Sequence, residues 1–194
     1  MPSTNDTSKP DSARFIDEAA AAIRSLHDVR PAVEAAVDLL VATLKSGGKV
    51  LCAGNGGSAA EAMHLAEELS GRYKRNRRAL PGLAICSDGT ALTCIANDFG
   101  FDQVFARQVE AFGAPGDLLV LFSSSGNSAN LVEAVRAAQT RGIKTLALIG
   151  RGGGALHGKA DVELLVPDTA GAHVQEAHQV VLHLMLESID ATFA

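Results

Sequence analysis

The sequence is poor in residue types that mark several large functional classes. It has no Trp and one Tyr, and aromatic residues make up only 4% of its 194 residues. Proteins that bind single-stranded nucleic acid stack bases on aromatic side chains, so the usual platform is missing. The 17 basic and 22 acidic residues give a formal net charge of −5, which disfavours nucleic acid and acidic membranes. We therefore expect neither kind of partner.

Cysteines and long apolar runs are also scarce. Cys52, Cys86 and Cys94 are an odd number without the close-paired spacing of a metal site, which fits a reducing cytoplasm. No apolar run approaches the roughly 20 residues that span a bilayer, and residues 1–14 hold no apolar signal core. We expect a cytoplasmic protein with a disordered tail over residues 1–12 and one domain over residues 13–194.

Short runs rich in Val, Leu and Ile recur along the chain, with helical patterns between them. They lack polar alternation, which indicates parallel strands buried on both faces. The strand-like runs are residues 49–53, 82–86, 118–122, 144–149 and 162–166. The helical patterns cover about 13–29, 31–45, 58–69, 89–96, 101–111, 127–140 and 173–191. The sequence predicts an α/β three-layer sandwich: a five-stranded parallel sheet flanked by helices, with extra N-terminal helices.

Two predicted loops at the carboxyl ends of strands are rich in Gly and Ser. The glycine loop reads Gly54-Asn55-Gly56-Gly57-Ser58, and the serine loop reads Ser123-Ser124-Ser125-Gly126-Asn127-Ser128. Ligands of such folds bind at this edge of the sheet, where the N–H groups of the following helix favour a phosphate. The alternative is a plain turn with one Ser as helix N-cap. Four hydroxyls in six residues favour the anion site.

The glycine loop also satisfies the G-x-G-x-x-A pattern of dinucleotide-binding proteins through Gly54, Gly56 and Ala59. That scheme needs an acidic residue about 20 positions beyond the glycines, whereas Asp88 lies about 30 beyond them. Two helices before the first strand and a second Ser/Gly loop do not fit the scheme either. A phosphate site is therefore the stronger hypothesis.

A possible metal site lies on the helix that follows the glycine loop. His64 and Glu68 are four residues apart, so they project from one helix face and suit a shared divalent metal. The last predicted helix adds Gln175 and His183. A surface His–Glu pair and a hydrogen-bonded core histidine are the plainer alternatives, and spacing alone leaves both open.

Several motifs in the same order resemble the phosphoheptose isomerase family, and the likeness runs from about residue 14 to the C-terminus. The matching segments are the glycine loop, residues 62–73, Asn97-Asp98-Phe99-Gly100, residues 125–130 and Gln175-Glu176-x-His178. The resemblance implies a SIS (sugar isomerase) domain and a homotetramer with active sites between subunits. It also implies conversion of sedoheptulose 7-phosphate to D-glycero-D-manno-heptose 7-phosphate. That reaction is the first step towards nucleotide-activated heptose for lipopolysaccharide or capsule.

The resemblance also implies roles for individual residues. One Zn²⁺ per subunit would be held by His64, Glu68, Gln175 and His183. Phosphate would be bound by Ser123, Ser124, Ser125 and Ser128, and the sugar by Asn55, Gly56, Gly57, Ser58, Glu68, Asn97, Asp98 and Gln175. Glu68 is expected to be the base and His183 the acid of an enediol mechanism, with zinc as a Lewis acid.

Two departures from the family pattern and two rival functions remain. Ser124 stands where the family commonly has Thr, which keeps the hydroxyl, and Gly171-Ala172-His173 lacks an Asp that some relatives carry before the Gln. One rival is a non-catalytic SIS-fold tetramer that binds the replication initiator protein, but such relatives lack the full ligand set. The other is an arabinose 5-phosphate isomerase, which usually has additional domains. The basic run over residues 72–78 is expected to be a solvated loop.

Overall fold

The computed structural model describes residues 9–167 and 170–194, and helices and strands alternate along them as expected. The helices are α1 (Ser12–Arg24), α2 (Arg30–Lys45), α3 (Gly57–Ser70), α4 (Gly89–Phe99), α5 (Ala106–Phe112), α6 (Ala129–Thr140) and α7 (Gly171–Phe193). The strands are β1 (Val50–Gly54), β2 (Gly82–Ala84), β3 (Leu118–Ser123), β4 (Lys144–Ile149) and β5 (Val162–Leu165). Short 3₁₀ turns lie at Ser25–His27, Phe101–Gln103 and Gly154–Leu156.

The predicted tail over residues 1–12 lies mostly outside the described residues. Its described end already belongs to the first helix, because the Asp11 side chain accepts hydrogen bonds from the N–H groups of Ala13 and Arg14. These bonds satisfy two of the free donors at the helix start.

The five strands form one parallel sheet in the order β2-β1-β3-β4-β5. The chain first adds β2 on one side of β1 and then β3 on the other, so the connections diverge between β1 and β3. Loops diverge at such a switch point and leave a crevice at the carboxyl edge. The glycine loop follows β1 and the serine loop follows β3, so both flank this point.

The sheet separates two apolar cores, as a three-layer sandwich requires. One core contains the strand side chains Cys52, Val120 and Leu148 and packs against α2, α3 and α7. The other contains the alternate side chains, such as Leu51 and Leu121, and packs against α5 and α6. Every residue of β1 and β3 is buried, which explains their continuous apolar sequence. The predicted fold class is confirmed.

Element ends differ from the predictions where local bonds interrupt the pattern. The predicted helix over 13–29 ends as an α-helix at Arg24 and continues as a 3₁₀ turn. Helix α6 begins at Ala129 rather than at residue 127, because the Asn127 side chain accepts a hydrogen bond from the N–H of Ala155. Within the described ranges, none of the helices combines the length and apolar character needed to cross a membrane.

Candidate active site beside the switch point

Helices α3 and α7 lie side by side and run in the same direction. Three contacts between the helices show this, because the residue numbers of the paired positions increase along both helices. The amide nitrogen of Gln175 lies 3.4 Å from the hydroxyl oxygen of Ser58. One turn further on, Nδ1 of His178 lies 3.8 Å from a carboxylate oxygen of Glu61. Next, the amide nitrogen of Gln179 lies 3.0 Å from Nδ1 of His64. The polar residues of the long C-terminal helix therefore face the helix that follows the glycine loop. Between the two helices is a cleft of about 420 Å³, lined by Gly57, Ala60, Glu61, His64, Ala172, Gln175, Glu176 and Gln179.

His64 is at the centre of this contact. Its Nε2 lies 3.7 Å from Oε1 of Glu68, and its Nδ1 lies 3.0 Å from Nε2 of Gln179. The ring of His183 packs edge-on against the His64 ring, with centroids 5.4 Å apart, and stacks on Tyr73 at 6.0 Å. The spacing of His64 and Glu68 does bring the two side chains together, and α7 brings His183 beside them.

The donor set here fits a divalent metal. His64, Glu67 and Glu68 each offer a ligand atom, and these atoms lie within 4.8 Å of one another. His183 does not belong to this trio, although its ring contacts that of His64, and Gln175 lines the same cleft. Imidazole nitrogen with carboxylate oxygen is a common donor set for zinc and similar ions.

Glu61 and His178 form a second polar pair, which the sequence did not single out as a site. Glu61 is 5% exposed and His178 is fully buried. Both carboxylate oxygens and both ring nitrogens lack hydrogen-bond partners in the described part of the chain. The His178 ring packs against Phe122, with centroids 6.1 Å apart. Buried polar groups without partners are costly, so this pair, of which Glu61 lines the cleft, is one of the least satisfied parts of the described fold.

The glycine loop contains one glycine that its backbone conformation requires and one that close packing requires. Gly56 has φ +57° and ψ −123°, a conformation that side chains rarely adopt, and α3 starts directly after it. A Cβ on Gly57 would lie 2.4 Å from Nε2 of Gln175, so a side chain there would displace the Gln175 amide. The glycine at position 57 therefore lets α7 approach the start of α3.

A reciprocal amide pair joins the two loops. Asn55 and Asn130 exchange two hydrogen bonds of 2.9 Å, each Nδ2 donating to the Oδ1 of the other. Asn130 is 2% exposed and belongs to the first turn of α6. Asn55 is an expected sugar-binding residue, whereas its partner Asn130 could not be predicted, because only the strand order brings the two segments together.

The serine loop uses some of its hydroxyls to shape itself and leaves others free. Ser123 Oγ accepts a hydrogen bond from the N–H of Gly126 at 3.0 Å, and Ser125 Oγ accepts one from the N–H of Asn127 at 3.3 Å. Ser128 is the N-cap residue of α6, but its side chain makes no capping bond to the described chain. Ser124 is half-buried. The plain N-cap interpretation of Ser128 therefore lacks its expected hydrogen bond.

Asn97 and Asp98 are two of the expected sugar-binding residues that do not line this cleft in the single chain. Both are exposed on α4, a helix with no buried residue, and Asn97 donates to Asp98 at 2.7 Å. Asp88, the acidic residue considered for a dinucleotide, instead caps this helix by accepting hydrogen bonds from the N–H groups of Thr90 and Ala91. Its carboxylate is thus already used.

The basic run over residues 72–78 is tied to the site helices through Arg77. The Arg77 side chain is fully buried, donates to the carbonyls of Glu68 and Leu69, and forms an ion pair of 3.2 Å with Asp190 of α7. It caps the end of α3. Burial alone would raise the pKa of Asp190, but N–H bonds from Arg75 and Lys74 and the Arg77 guanidinium lower it below its ordinary value. The expectation of a solvated loop holds for its exposed members and is wrong for Arg77.

Comparison with known proteins gives a consistent result. The SIS domain family model matches residues 14–150. The phosphoheptose isomerase of Vibrio cholerae is 50% identical over 163 residues, which are 84% of this chain and 85% of that protein. The phosphoheptose isomerase of Helicobacter pylori is 44% identical over 180 residues, 93% and 94% of the two chains.

Solved structures agree with the sequence relatives. The structure of a phosphoheptose isomerase from Francisella tularensis has a TM-score of 0.87 at 36% identity and covers 92% of this chain and 95% of that one. The Neisseria gonorrhoeae enzyme has a TM-score of 0.82 at 43% identity, with 92% and 98% covered. The chain belongs to the phosphoheptose isomerase family of SIS-domain proteins.

Proposed function

We propose that this chain is an aldose–ketose isomerase that converts sedoheptulose 7-phosphate to D-glycero-D-manno-heptose 7-phosphate. The observation that carries the proposal is the meeting of α3 and α7, where Glu68 and His183 each lie against His64 and Gln175 lines the same cleft as His64. Relatives with 44–50% identity that are named phosphoheptose isomerases support the enzyme over the non-catalytic scaffold.

Phosphate recognition is assigned to the serine loop. The hydroxyl of Ser128 is not used to cap α6, and the first N–H groups of that helix point towards the carboxyl edge of the sheet. Neutral hydroxyl and N–H donors with the helix dipole can hold a doubly charged phosphate without a cationic side chain. Ser123 and Ser125 shape the loop by accepting hydrogen bonds from the N–H groups of Gly126 and Asn127. Ser124 is the remaining hydroxyl of the loop that would bind the phosphate. Phosphate held here orients the reacting carbons at the α3–α7 cleft.

One Zn²⁺ per subunit is the proposed cofactor, with His64, Glu68, Gln175 and His183 as its holders. The support is the pairing of imidazole and carboxylate groups at the α3–α7 contact. When bound, the ion supplies Lewis-acid stabilisation of the negative charge that develops on the substrate oxygens.

The proton transfers are assigned to Glu68 and His183. Glu68 takes a proton from C1 of the ketose and returns it to C2, which gives the aldose. His183 donates a proton to the oxygen on C2 and receives one from the oxygen on C1. Both side chains are partly buried, which limits competing water while keeping them within reach of the cleft. Asn55, Gly56, Gly57 and Ser58 would contact the sugar chain between the two ends.

The proposal includes a cytoplasmic homotetramer with active sites between subunits. Asn97 and Asp98 are exposed on α4 in the single chain, so a neighbouring subunit is needed if they are to line a closed site. The product would feed nucleotide-activated heptose for lipopolysaccharide or capsule.

The test is turnover of sedoheptulose 7-phosphate by the purified protein, with added Zn²⁺ and after chelation. We expect zinc-dependent turnover in the unchanged protein and a loss of about 10²–10⁴-fold in kcat for His183→Ala. His157→Ala, an exposed histidine paired with Glu163, is the matched control and should keep full activity.

Other outcomes would redirect the assignment. Zinc binding without turnover would leave the metal site standing and require another sugar phosphate as substrate. Neither zinc binding nor turnover would overturn the enzyme and favour the scaffold that binds the replication initiator protein.

A further inference from the structure

Gln179 of α7 contacts His64 through an arrangement that a metal ion would change. The Nε2 atom of Gln179 lies 3.0 Å from Nδ1 of His64, so in this structure the amide donates and the ring nitrogen accepts. A neutral imidazole carries one ring hydrogen, and an accepting Nδ1 places that hydrogen on Nε2. Nε2 is the nitrogen that faces Glu68. In this tautomer, the nitrogen nearest to Glu68 cannot bind an ion.

The second amide atom of Gln179 offers the alternative. Oε1 of Gln179 is buried and has no hydrogen-bond partner among the described residues. Turning the amide by half a rotation exchanges its oxygen and nitrogen, and such exchanges preserve the shape of the side chain. The oxygen then accepts a hydrogen from Nδ1, and Nε2 of His64 becomes free to bind the ion. Both carboxylate oxygens of Glu61, which lines the same cleft as Gln179, also lack hydrogen-bond partners among the described residues.

We propose that Gln179 is a positioning residue for the metal: its carbonyl oxygen accepts the Nδ1 hydrogen of His64 and directs Nε2 towards the ion. This rests on the metal site proposed above. Metal-bound histidines generally donate their other N–H to a carbonyl or carboxylate, and loss of that partner weakens metal affinity by about 10–100-fold. Gln179 lies on α7, so it would also tie the orientation of His64 to the helix that carries Gln175 and His183.

Zinc affinity of the full chain tests this, with Zn²⁺ as the probe in competition with a chromophoric chelator. Gln179→Leu keeps the approximate size and removes the hydrogen bond, so we expect Zn²⁺ to bind about 10–100-fold more weakly. Gln179→Glu keeps an acceptor and removes the donor, and we expect affinity within about threefold of the unchanged protein, or tighter. Gln139→Leu, at an exposed position of α6, is the matched control and should bind zinc normally.

The conservative variant separates positioning from packing. If Gln179→Glu binds zinc as poorly as Gln179→Leu, an acceptor at this position is not what the ion requires, and the proposal would be overturned. Equal zinc affinity in Gln179→Leu and the unchanged protein would also overturn it, while leaving the metal site intact. Absence of zinc binding by the unchanged protein would overturn the metal site itself, together with this proposal.

A measurement on the unchanged protein avoids reliance on variants that may fold poorly. Nitrogen NMR of the His64 ring distinguishes the two tautomers. In the zinc-loaded protein we expect the hydrogen on Nδ1, and in the metal-free protein on Nε2. A zinc-loaded protein with the hydrogen on Nε2 would contradict the proposed role of Gln179.

Discussion

Ser128 occupies the N-cap position of α6 without capping the helix through its side chain. Its backbone has the extended conformation of a cap residue (φ −73°, ψ 115°), but its hydroxyl makes no capping bond within the described chain. A Ser that caps contributes about 1 kcal/mol to stability, and a Ser kept for a ligand contributes little. The two interpretations of this residue therefore predict different effects of the same substitution.

We expect Ser128→Ala to change the free energy of unfolding by less than about 0.5 kcal/mol and to raise KM for the sugar phosphate about tenfold, since one donor to the phosphate is lost. Urea unfolding and steady-state kinetics measure the two effects. Asp88→Ala is the control for a real cap and should lose about 1 kcal/mol, because Asp88 accepts from Thr90 and Ala91. A loss of about 1 kcal/mol in Ser128→Ala with unchanged KM would favour the plain cap.

At this scale, sequence reasoning finds residues whose partners are local and misses those whose partners depend on packing. His64 and Glu68 were predicted to lie together because four residues make one helical turn, and their side chains are 3.7 Å apart. Gln179 was visible in the same polar stretch as Gln175, yet its bond to His64 depends on how α7 is rotated against α3. The spacing of residues within α7 does not determine how that helix is rotated relative to α3.

The elements of the site are held together at their far end by the ion pair of Arg77 and Asp190. Arg77 reaches the last carbonyls of α3, and Asp190 belongs to α7. Both side chains are almost completely buried, with 0% and 2% of their surface exposed. Removing one partner of such a pair leaves a buried charge and costs about 3–5 kcal/mol. The pair therefore fixes the α3–α7 arrangement from outside the cleft.

The lowered pKa of Asp190 gives this pair a pH dependence with a definite sign. A carboxyl whose folded pKa lies below its ordinary value of about 3.9 stabilises the fold above that value, and the contribution is lost as pH falls through the folded pKa. We expect Asp190→Asn to be less stable than the unchanged protein at pH 7, and the difference to stay nearly constant down to about pH 5. It should shrink below about pH 4.

Urea unfolding at a series of pH values measures this difference. Asp17→Asn, at an exposed position of α1, is the control and should follow the unchanged protein. A difference for Asp190→Asn that grows as the pH falls would contradict the sign of the effect.

Element boundaries were predictable to within a few residues, and strand order was not. The apolar runs of β1, β3 and β4 mark those strands because all but one of their residues are buried. Strand β2 was predicted to reach residue 86 but ends at Ala84, where the N–H of Ser87 turns back to the Ala84 carbonyl. The sequence of a strand does not specify which strands pair with it. The contact of Asn55 with Asn130 therefore could be seen only in the structure.

The whole molecule exposes apolar side chains that a single chain does not cover. On α1, Ile16 is 65% exposed and Ile23 is 37% exposed, and on α7 Leu184 is 46% exposed. Between these helices and α2 is a largely apolar groove of about 300 Å³. Exposed apolar groups clustered on neighbouring helices are typical of interfaces between subunits. This surface supports the proposed tetramer and suggests α1 and α7 as part of its contact.

We expect light scattering to give four times the mass of one chain for the unchanged protein. The double variant Ile16→Glu and Ile23→Glu should dissociate into smaller species, because buried charges oppose association. Under the proposed assembly, in which a neighbouring subunit completes the site, it should also lose activity. Gln139→Glu, on the opposite layer, should remain tetrameric and active. An unchanged protein of single-chain mass with full turnover would contradict the proposed assembly.

The amide pair between Asn55 and Asn130 also has a consequence for which substrates can react. It joins the loop at the reacting end to the helix of the phosphate end by two hydrogen bonds. Under the proposed function, the substrate must extend from one end to the other. A fixed distance between the glycine loop and the start of α6 would then select substrates by the length of their carbon chain. Shorter or longer sugar phosphates would anchor at one end and place the wrong carbon at Glu68. Selection of a seven-carbon chain would then reside in the spacing of two loops rather than in any side chain that contacts the additional carbons.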